Sequence, residues 1–492
     1  MSAFPRLAWL FVLGLSCSAC PSEPERHDAG AASDAGMVLD GPDTGSGDAG
    51  QHDAGPERQL GLAWVSELPN NSFGSPRLFQ SNTGPKMLLG FGDMFGGNSP
   101  DTIIGGALSI EVSSGEIAWE VDHNSALFTT AVPLAPLPGH DHPFLFGGRG
   151  GVLMAIDADS GELLFQASPT GSNARTNSIW NYYTALLVGD QTGDGIGEIV
   201  VTNGGDDLAD IGDPRPQGWL MVLNGADLTI IHRIPVPAGA ETYCSPILWP
   251  RNGQDWLVYG TGGENDPGSL FTVPLASVLA GNLSGQVELI EPASERGTIA
   301  PVSLADFDGD GVLDVLAMTF DGRVRAISGS DLSALWSFPS PGGRESSASA
   351  SIGDFDGDGD LDVFTNRNKG VFPVVLGSEE RAFDARSGTI IHEDTSSPEI
   401  VMGSSLAVDL DGDGKDEVLF SRVAMPARPQ EPVWSSLLIL HVDEGRIETL
   451  AEVQGLIGSA GWVGDADGDG LLEWFITTSG QGFGKLLRYN LP

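Results

Sequence analysis

Five nine-residue segments of this 492-residue chain align without a gap: DQTGDGIGE at 190–198, DFDGDGVLD at 306–314, DFDGDGDLD at 354–362, DLDGDGKDE at 409–417 and DADGDGLLE at 465–473. Each leads into a β-prone run: IVVTN, VLAMT, VFTN, VLFS or WFITT. A loop held in one register beside strands, five times over, restricts the chain to a repeat architecture. In such a fold each unit buries its apolar face only against its neighbours. The first interval between loops is about twice the others, and SPILWPRNGQDWLVYGTGG at 245–263 fills it with a unit that keeps strand–loop–strand but has lost the acids. GPKMLLGFGDMFGGNSPDTIIGG at 84–106 and AVPLAPLPGHDHPFLFGG at 131–148 read as two more degenerate copies. Eight units result.

A second pattern interleaves with the first. SIEVSSGEIAWEV (109–121), MAIDADSGELLFQA (154–167), AISGSDLSALWSF (326–338) and AFDARSGTIIHE (382–393) each show strand, tight polar turn, strand. Each unit therefore supplies about four strands, and a repeat of about 40–50 residues with four strands is the pattern of a propeller blade. The last unit runs out after three strands. The missing one lies at the front, where LAWVS at 62–66 resembles IAWEV at 117–121 and ALWSF at 334–338. The expected fold is all-β: a closed eight-bladed β-propeller over 59–492, its N-terminal strand completing the last blade. Seven blades is the alternative if one degenerate unit is a loop.

In each nonapeptide, positions 1, 3, 5 and 9 carry oxygens and position 6 is Gly, while position 7 varies from Ile196 to Lys415. That spacing, with a Gly for the sharp turn, is how hard oxygen ligands wrap Ca²⁺. Two like charges ~4 Å apart cost roughly 4 kcal/mol at an effective dielectric of ~20, so four acids must bind a cation, protonate or splay open. An EF-hand is excluded, because its last acid falls at position 12 between helices. Mg²⁺ suits the pattern less, since it keeps several waters in a tight octahedron.

The D-x-D-x-D-G-x-x-[DE] loops on strand–loop–strand units resemble FG-GAP (VCBS-type) repeats, the units of integrin α-subunit propellers, over most of 75–492. The resemblance implies Ca²⁺ between the first and second strands of a blade. The implied ligands are Asp306, Asp308, Asp310 and Asp314; Asp354, Asp356, Asp358 and Asp362; Asp409, Asp411, Asp413 and Glu417; and Asp465, Asp467, Asp469 and Glu473. A possible fifth site, Asp190, Thr192, Asp194 and Glu198, departs from the pattern with a hydroxyl at position 3 and is expected to bind more weakly. The strand–turn–Trp pattern also resembles the repeats of eight-bladed quinone-dependent dehydrogenases. With no adjacent Cys pair and no C-x-x-C-H, that likeness implies shared blade geometry rather than shared catalysis.

Lys and Arg number 24 against 67 Asp and Glu, a net charge of −43, which excludes a nucleic-acid binder working through basic patches. The chain opens with one Arg and a short apolar run, Leu7 to Leu15, followed by SCSAC. This is too short to span a bilayer. It resembles a bacterial lipoprotein signal (residues 1–20), with Cys20 as the acylated residue and Cys17 as the alternative. Neither has the usual Leu three residues upstream. Residues 21–58 hold DAG four times and no aromatic residue, and read as a disordered acidic tether. The expected location is exported and lipid-anchored at the outer membrane, facing the periplasm or the cell surface.

No G-x-S-x-G, H-E-x-x-H or Walker loop appears, so the expectation is not an enzyme. It is a calcium-stabilised binding or adhesion module for a glycan or protein ligand, touching membrane only through its anchor. A polysaccharide-cleaving or quinone-dependent propeller enzyme, or a scaffold without a ligand, is the alternative. Arg175, Trp180, Tyr182, Tyr183, Tyr243 and Arg344 form the candidate ligand surface on the face away from the acidic loops, unless the rings wedge between blades. His140-Asp141-His142 reads as plain surface or as a transition-metal pair.

Overall fold

The computed structural model describes residues 61–491, apart from 93–104, 168–178, 206–212, 372–373, 429–430, 481–482 and the single positions 293, 295 and 427. Eight antiparallel sheets of four or five strands follow one another along the chain. Blades 1 to 7 span 77–123, 132–167, 181–235, 247–290, 303–338, 344–394 and 406–454. Blade 8 takes Trp462–Gly464, Glu473–Ser479 and Gly484–Asn490, and borrows Gly61–Leu68 as its outer strand. The borrowed strand sets Leu62 opposite Tyr489 and Val65 opposite Leu487. An eight-bladed ring closed in this way leaves only short, protected edges. The seven-bladed alternative falls away, because each degenerate unit builds a complete blade. In blade 4 the acidic loop is replaced by the two-residue turn Asn252-Gly253, both residues at positive φ, between Ile247–Arg251 and Gln254–Gly260.

Central strands are covered on both faces by neighbouring blades, so they read as continuous apolar runs; Met87 to Gly92 is buried at every position. Outer strands such as Ile117–His123 alternate between half-buried and exposed. The core is accordingly a set of layers between blades. One holds Phe475 and Leu486 of blade 8 against Met87 and Leu89 of blade 1.

Adjacent blades are also clamped. Trp64, Trp119 and Trp336, each on an outer strand, donate their indole N–H to Val112, Ala158 and Ala385 of the next blade at 2.9, 2.8 and 2.6 Å. Each ring lies over the turn glycine of that blade: Gly115, Gly161 or Gly388. A Cβ there would stand 2.7–2.8 Å from the indole, and φ is +71 to +76°. This explains why the three Trp strands and the S-G turns resemble one another in sequence.

The linkers entering seven of the eight blades meet on the axis. Phe73, Phe128, Tyr183, Tyr243, Ile299, Met402 and Leu456, from blades 1, 2, 3, 4, 5, 7 and 8, share one buried cluster, and residues from seven blades can meet only there. Of the rings assigned to the ligand surface, Tyr183 and Tyr243 lie in this cluster, and Tyr182 is wedged in the layer between blades 2 and 3. Trp180, Tyr182, Tyr183 and Tyr243 are 8, 2, 1 and 3% exposed, because their linkers turn inward to start the innermost strands. Arg344 is held by Glu379 at 2.6 Å instead of facing a ligand. Arg175, Cys20, Cys17 and the expected signal and tether lie outside the described residues.

Candidate metal centres

All five acidic loops join the first and second long strands of a blade and emerge at one end of the ring. They share one hydrogen-bond scheme. The position-1 carboxylate accepts from the N–H of positions 4 and 6: Gly309 and Gly311 donate to Asp306 at 2.8 and 2.9 Å. Gly193 and Gly195 do the same to Asp190, Gly357 and Gly359 to Asp354, Gly412 and Gly414 to Asp409, and Gly468 and Gly470 to Asp465. Position 5 accepts from position 7, as in Val312 to Asp310 at 2.8 Å. Position 9 is buried at or just before the start of the next strand and accepts from the N–H of position 2: Phe307 to Asp314 at 2.7 Å and Ala466 to Glu473 at 2.7 Å.

The sequence reading singled out the glycine at position 6 and missed the one at position 4. Both are left-handed in every loop, with φ between +76 and +89°. A side chain there would cost roughly 1–2 kcal/mol. The signal was present, since all five segments read G-x-G at positions 4–6.

The expected ligands are brought together in four of the loops. Ligand oxygens of Asp306, Asp308 and Asp314 lie within 4.8 Å of one another, as do those of Asp354, Asp356 and Asp362; Asp409, Asp411 and Asp413; and Asp465, Asp467 and Glu473. Asp310, Asp358, Glu417 and Asp469 are not among these groups. In the loop 190–198, Glu198 is consumed by the N–H groups of Gln191 and Thr192 at 2.5 and 3.1 Å, and Asp194 receives Asn224 at 3.2 Å.

The convergence shows in the electrostatics. Burial, reinforced by Asp356, Asp358 and Asp354, pushes the Asp362 carboxyl up to about 7. Burial likewise raises Asp314, with Asp308 adding to it, and Glu417, with Asp411 and Asp413 adding to it. Three carboxylates around one point, with no soft donor among them, fit a hard divalent cation. In the last loop Arg488 intrudes: its guanidinium meets Asp467 at 2.5 Å and Glu473 at 3.2 Å. Sequence reasoning had no signal for that contact. His140 and His142 do not converge, being bound separately to Asp157 at 3.1 Å and Asp159 at 2.8 Å.

Residues 306–365, which hold two of these loops and the strands between them, match the family described as FG-GAP-like repeat. The chain carries an FG-GAP-like repeat. No curated protein matches the sequence significantly. Among solved structures, BamB from Moraxella catarrhalis is similar at 11% identity, covering 88% of this chain and 100% of its own, with a TM-score of 0.50. A europium-containing methanol dehydrogenase is similar at 12% identity (87% of this chain, 93% of that one, TM-score 0.57). The quinohemoprotein alcohol dehydrogenase from Comamonas testosteroni is similar at 11% identity (88% and 76%, TM-score 0.57). Likeness at this identity shows the propeller fold alone.

Proposed function

We propose that this protein is a non-catalytic, calcium-stiffened binding module, exported and lipid-anchored through Cys20, that recognises a glycan or protein ligand. The observation that carries the calcium reading is the repeated loop. Five chain segments adopt one hydrogen-bond scheme, and four of them bring three carboxylates within 4.8 Å. Such a cluster is self-repelling until a cation enters it. Ca²⁺ takes six to eight oxygens in flexible geometry, and extracellular modules bind it at millimolar strength. The export signal and acidic tether read from the sequence support the location.

A thermal melt of the full chain with millimolar Ca²⁺ and then with excess EDTA tests the reading. The expected result is a fall in melting temperature of many degrees on chelation, partly reproduced by Asp308→Ala in the presence of Ca²⁺. Unchanged melting in EDTA would sink the calcium role. A glycan array probed under the same two conditions tests recognition.

A further inference from the structure

The turn between third and fourth strands closes alike in blades 1, 2, 5 and 6. The N–H of Gly115, Gly161, Leu332 or Gly388 donates to the carbonyl four residues back. In blades 1, 2 and 6 an indole from the preceding blade covers the turn glycine and reaches the carbonyl three residues before it. The joint between blades 4 and 5 departs from this plan. Leu332, left-handed at φ +67°, stands in place of the glycine. The matching carbonyl, that of Gly329, accepts from Arg251 of blade 4, and the outer strand of blade 4, Val287–Ile290, holds no aromatic residue. A cavity of about 490 Å³ remains beside Leu332, walled by Glu288, Leu289, Glu291 and Pro292 on the blade 4 side and by Arg323 and Arg325 of blade 5. That volume suits a small ligand, for which sites run from ~300 to 1,000 Å³.

Arg325 gives the cavity its chemistry. Along the third strand of blade 5, Val324 and Ala326 pack towards blade 6, whereas Ile327 packs towards blade 4. By alternation Arg325 points towards blade 4 with Ile327. Its Nε is buried and meets no hydrogen-bond partner among the described residues. Blade 6 supplies the contrast. Arg381, at the matching place, faces Glu393 across the strand pair and is bound by it at 2.6 Å, whereas Arg325 faces Ser337. The neighbouring Arg323 is taken by Asp321 at 3.0 Å.

A guanidinium with a buried N–H left unpaired costs stability, and a ligand acceptor removes that cost. Its flat fork matches a carboxylate. Glu288 and Glu291 would repel a doubly charged phosphate more than a singly charged carboxylate, and both accept hydroxyls; Glu288 already takes that of Ser269 at 2.6 Å. Leu289, Pro292 and Leu332 offer apolar surface to C–H groups. One carboxylate, several hydroxyls and a C–H face together describe a sugar acid.

We infer that this cavity between blades 4 and 5 binds an acidic sugar, its carboxylate on Arg325, its hydroxyls on Glu288 and Glu291, and its C–H face on Leu289, Pro292 and Leu332. The assignment rests on the binding reading above and names a site and ligand class for it. Ligand-observed NMR titration of the calcium-loaded full chain is made with D-glucuronate and D-galacturonate, beside D-glucose, acetate and D-glucose 6-phosphate. Arg325→Met and Ser337→Glu are run in parallel. The second variant sets an acid opposite Arg325, as Glu393 stands opposite Arg381, and so occupies the guanidinium without replacing any residue of the cavity wall.

One of the uronates is expected to bind, with the three other probes at least about tenfold weaker, and both variants should lose about tenfold or more in affinity for it. Ser337 is exposed, so Ser337→Glu should melt no lower than wild type, and it decides the matter should Arg325→Met fail to fold. Uronate binding that the folded variants keep overturns the site and leaves the binding reading standing. Acetate or the phosphate ester held as tightly as the uronate overturns the sugar-acid assignment. Silence of wild type towards both uronates overturns the site, while the glycan array judges the binding reading separately.

Discussion

Arg488 reaches from the last strand of the chain into the fifth acidic loop and takes two of its carboxylates, Asp467 and Glu473. An arginine and a divalent cation compete for the same oxygens, so this loop should bind more weakly than those at 306–314 and 354–362. Arg488→Met is expected to raise cation affinity there by about tenfold, the worth of a charged hydrogen bond. Terbium luminescence titration reads this, and an unchanged affinity would mean that the guanidinium does not hold those oxygens. A second arginine group bears on stability. Burial would raise the Glu379 carboxyl, but hydrogen bonds from Arg344, Arg381 and Arg367 hold it down to about 2. With its ordinary value at 4.5, this stabilisation is complete above about pH 4.5 and is lost as pH falls through 2. It amounts to on the order of 3 kcal/mol. Glu379→Gln should flatten the acid limb of urea stability against pH, and should also destabilise at neutral pH by leaving the buried Arg367 uncompensated. An acid limb of unchanged slope would refute the assignment.

The clamps between blades make the turn glycines costlier to change than the loop glycines. At Gly161 a Cβ would stand 2.7 Å from the Trp119 ring, whereas at Gly309 nothing lies within 4 Å. Both have positive φ, so Gly161→Ala should carry the strain of the left-handed region, about 1–2 kcal/mol, plus displacement of the indole. Gly309→Ala should carry the strain alone. Equal losses in chemical denaturation would contradict the clamp. Two acidic loops also interlock: Asp416 of the loop 409–417 accepts the Asp354 N–H at 3.0 Å, and its own N–H reaches the Asp354 carbonyl at 2.8 Å. Asp416→Ala should therefore weaken the neighbouring site at 354–362, seen by calorimetric titration as loss of the tighter binding step. Much of this level was legible in the sequence. The Trp strands, S-G turns and acidic loops recur at fixed offsets, because each meets the same partner in the next blade. The axial residues were not legible. Phe73, Phe128, Tyr183, Ile299 and Met402 fill one region with different shapes, so packing there leaves no repeated letter. Tyr183 and Tyr243 were read as candidate surface for that reason.

Closure is where the whole molecule depends on its two ends. Among the described residues, Gly61–Leu68 supplies the only partner of the outer edge of Gly484–Asn490. The same borrowed strand carries Trp64, whose indole reaches Val112 of blade 1; Arg488 binds that carbonyl as well, at 2.9 Å. Removing residues 61–68 would therefore do three things at once: expose a seven-residue strand edge, unclamp blade 8 from blade 1, and take Trp64 away from Phe475, 5.8 Å from it between ring centroids. A bare edge of that length is a template for pairing with another chain. The truncated protein is expected to melt well below the calcium-free full chain and to associate as concentration rises, because chelation loosens loops at one end whereas truncation opens the ring. Val65→Pro should fall between the two, since proline removes one ladder donor opposite Leu487 but keeps Trp64. Melting and sedimentation of the three proteins at matched calcium decide the matter. A truncated chain that stays monomeric and melts like the intact one would show that the layers between blades hold the ring without its closing strand.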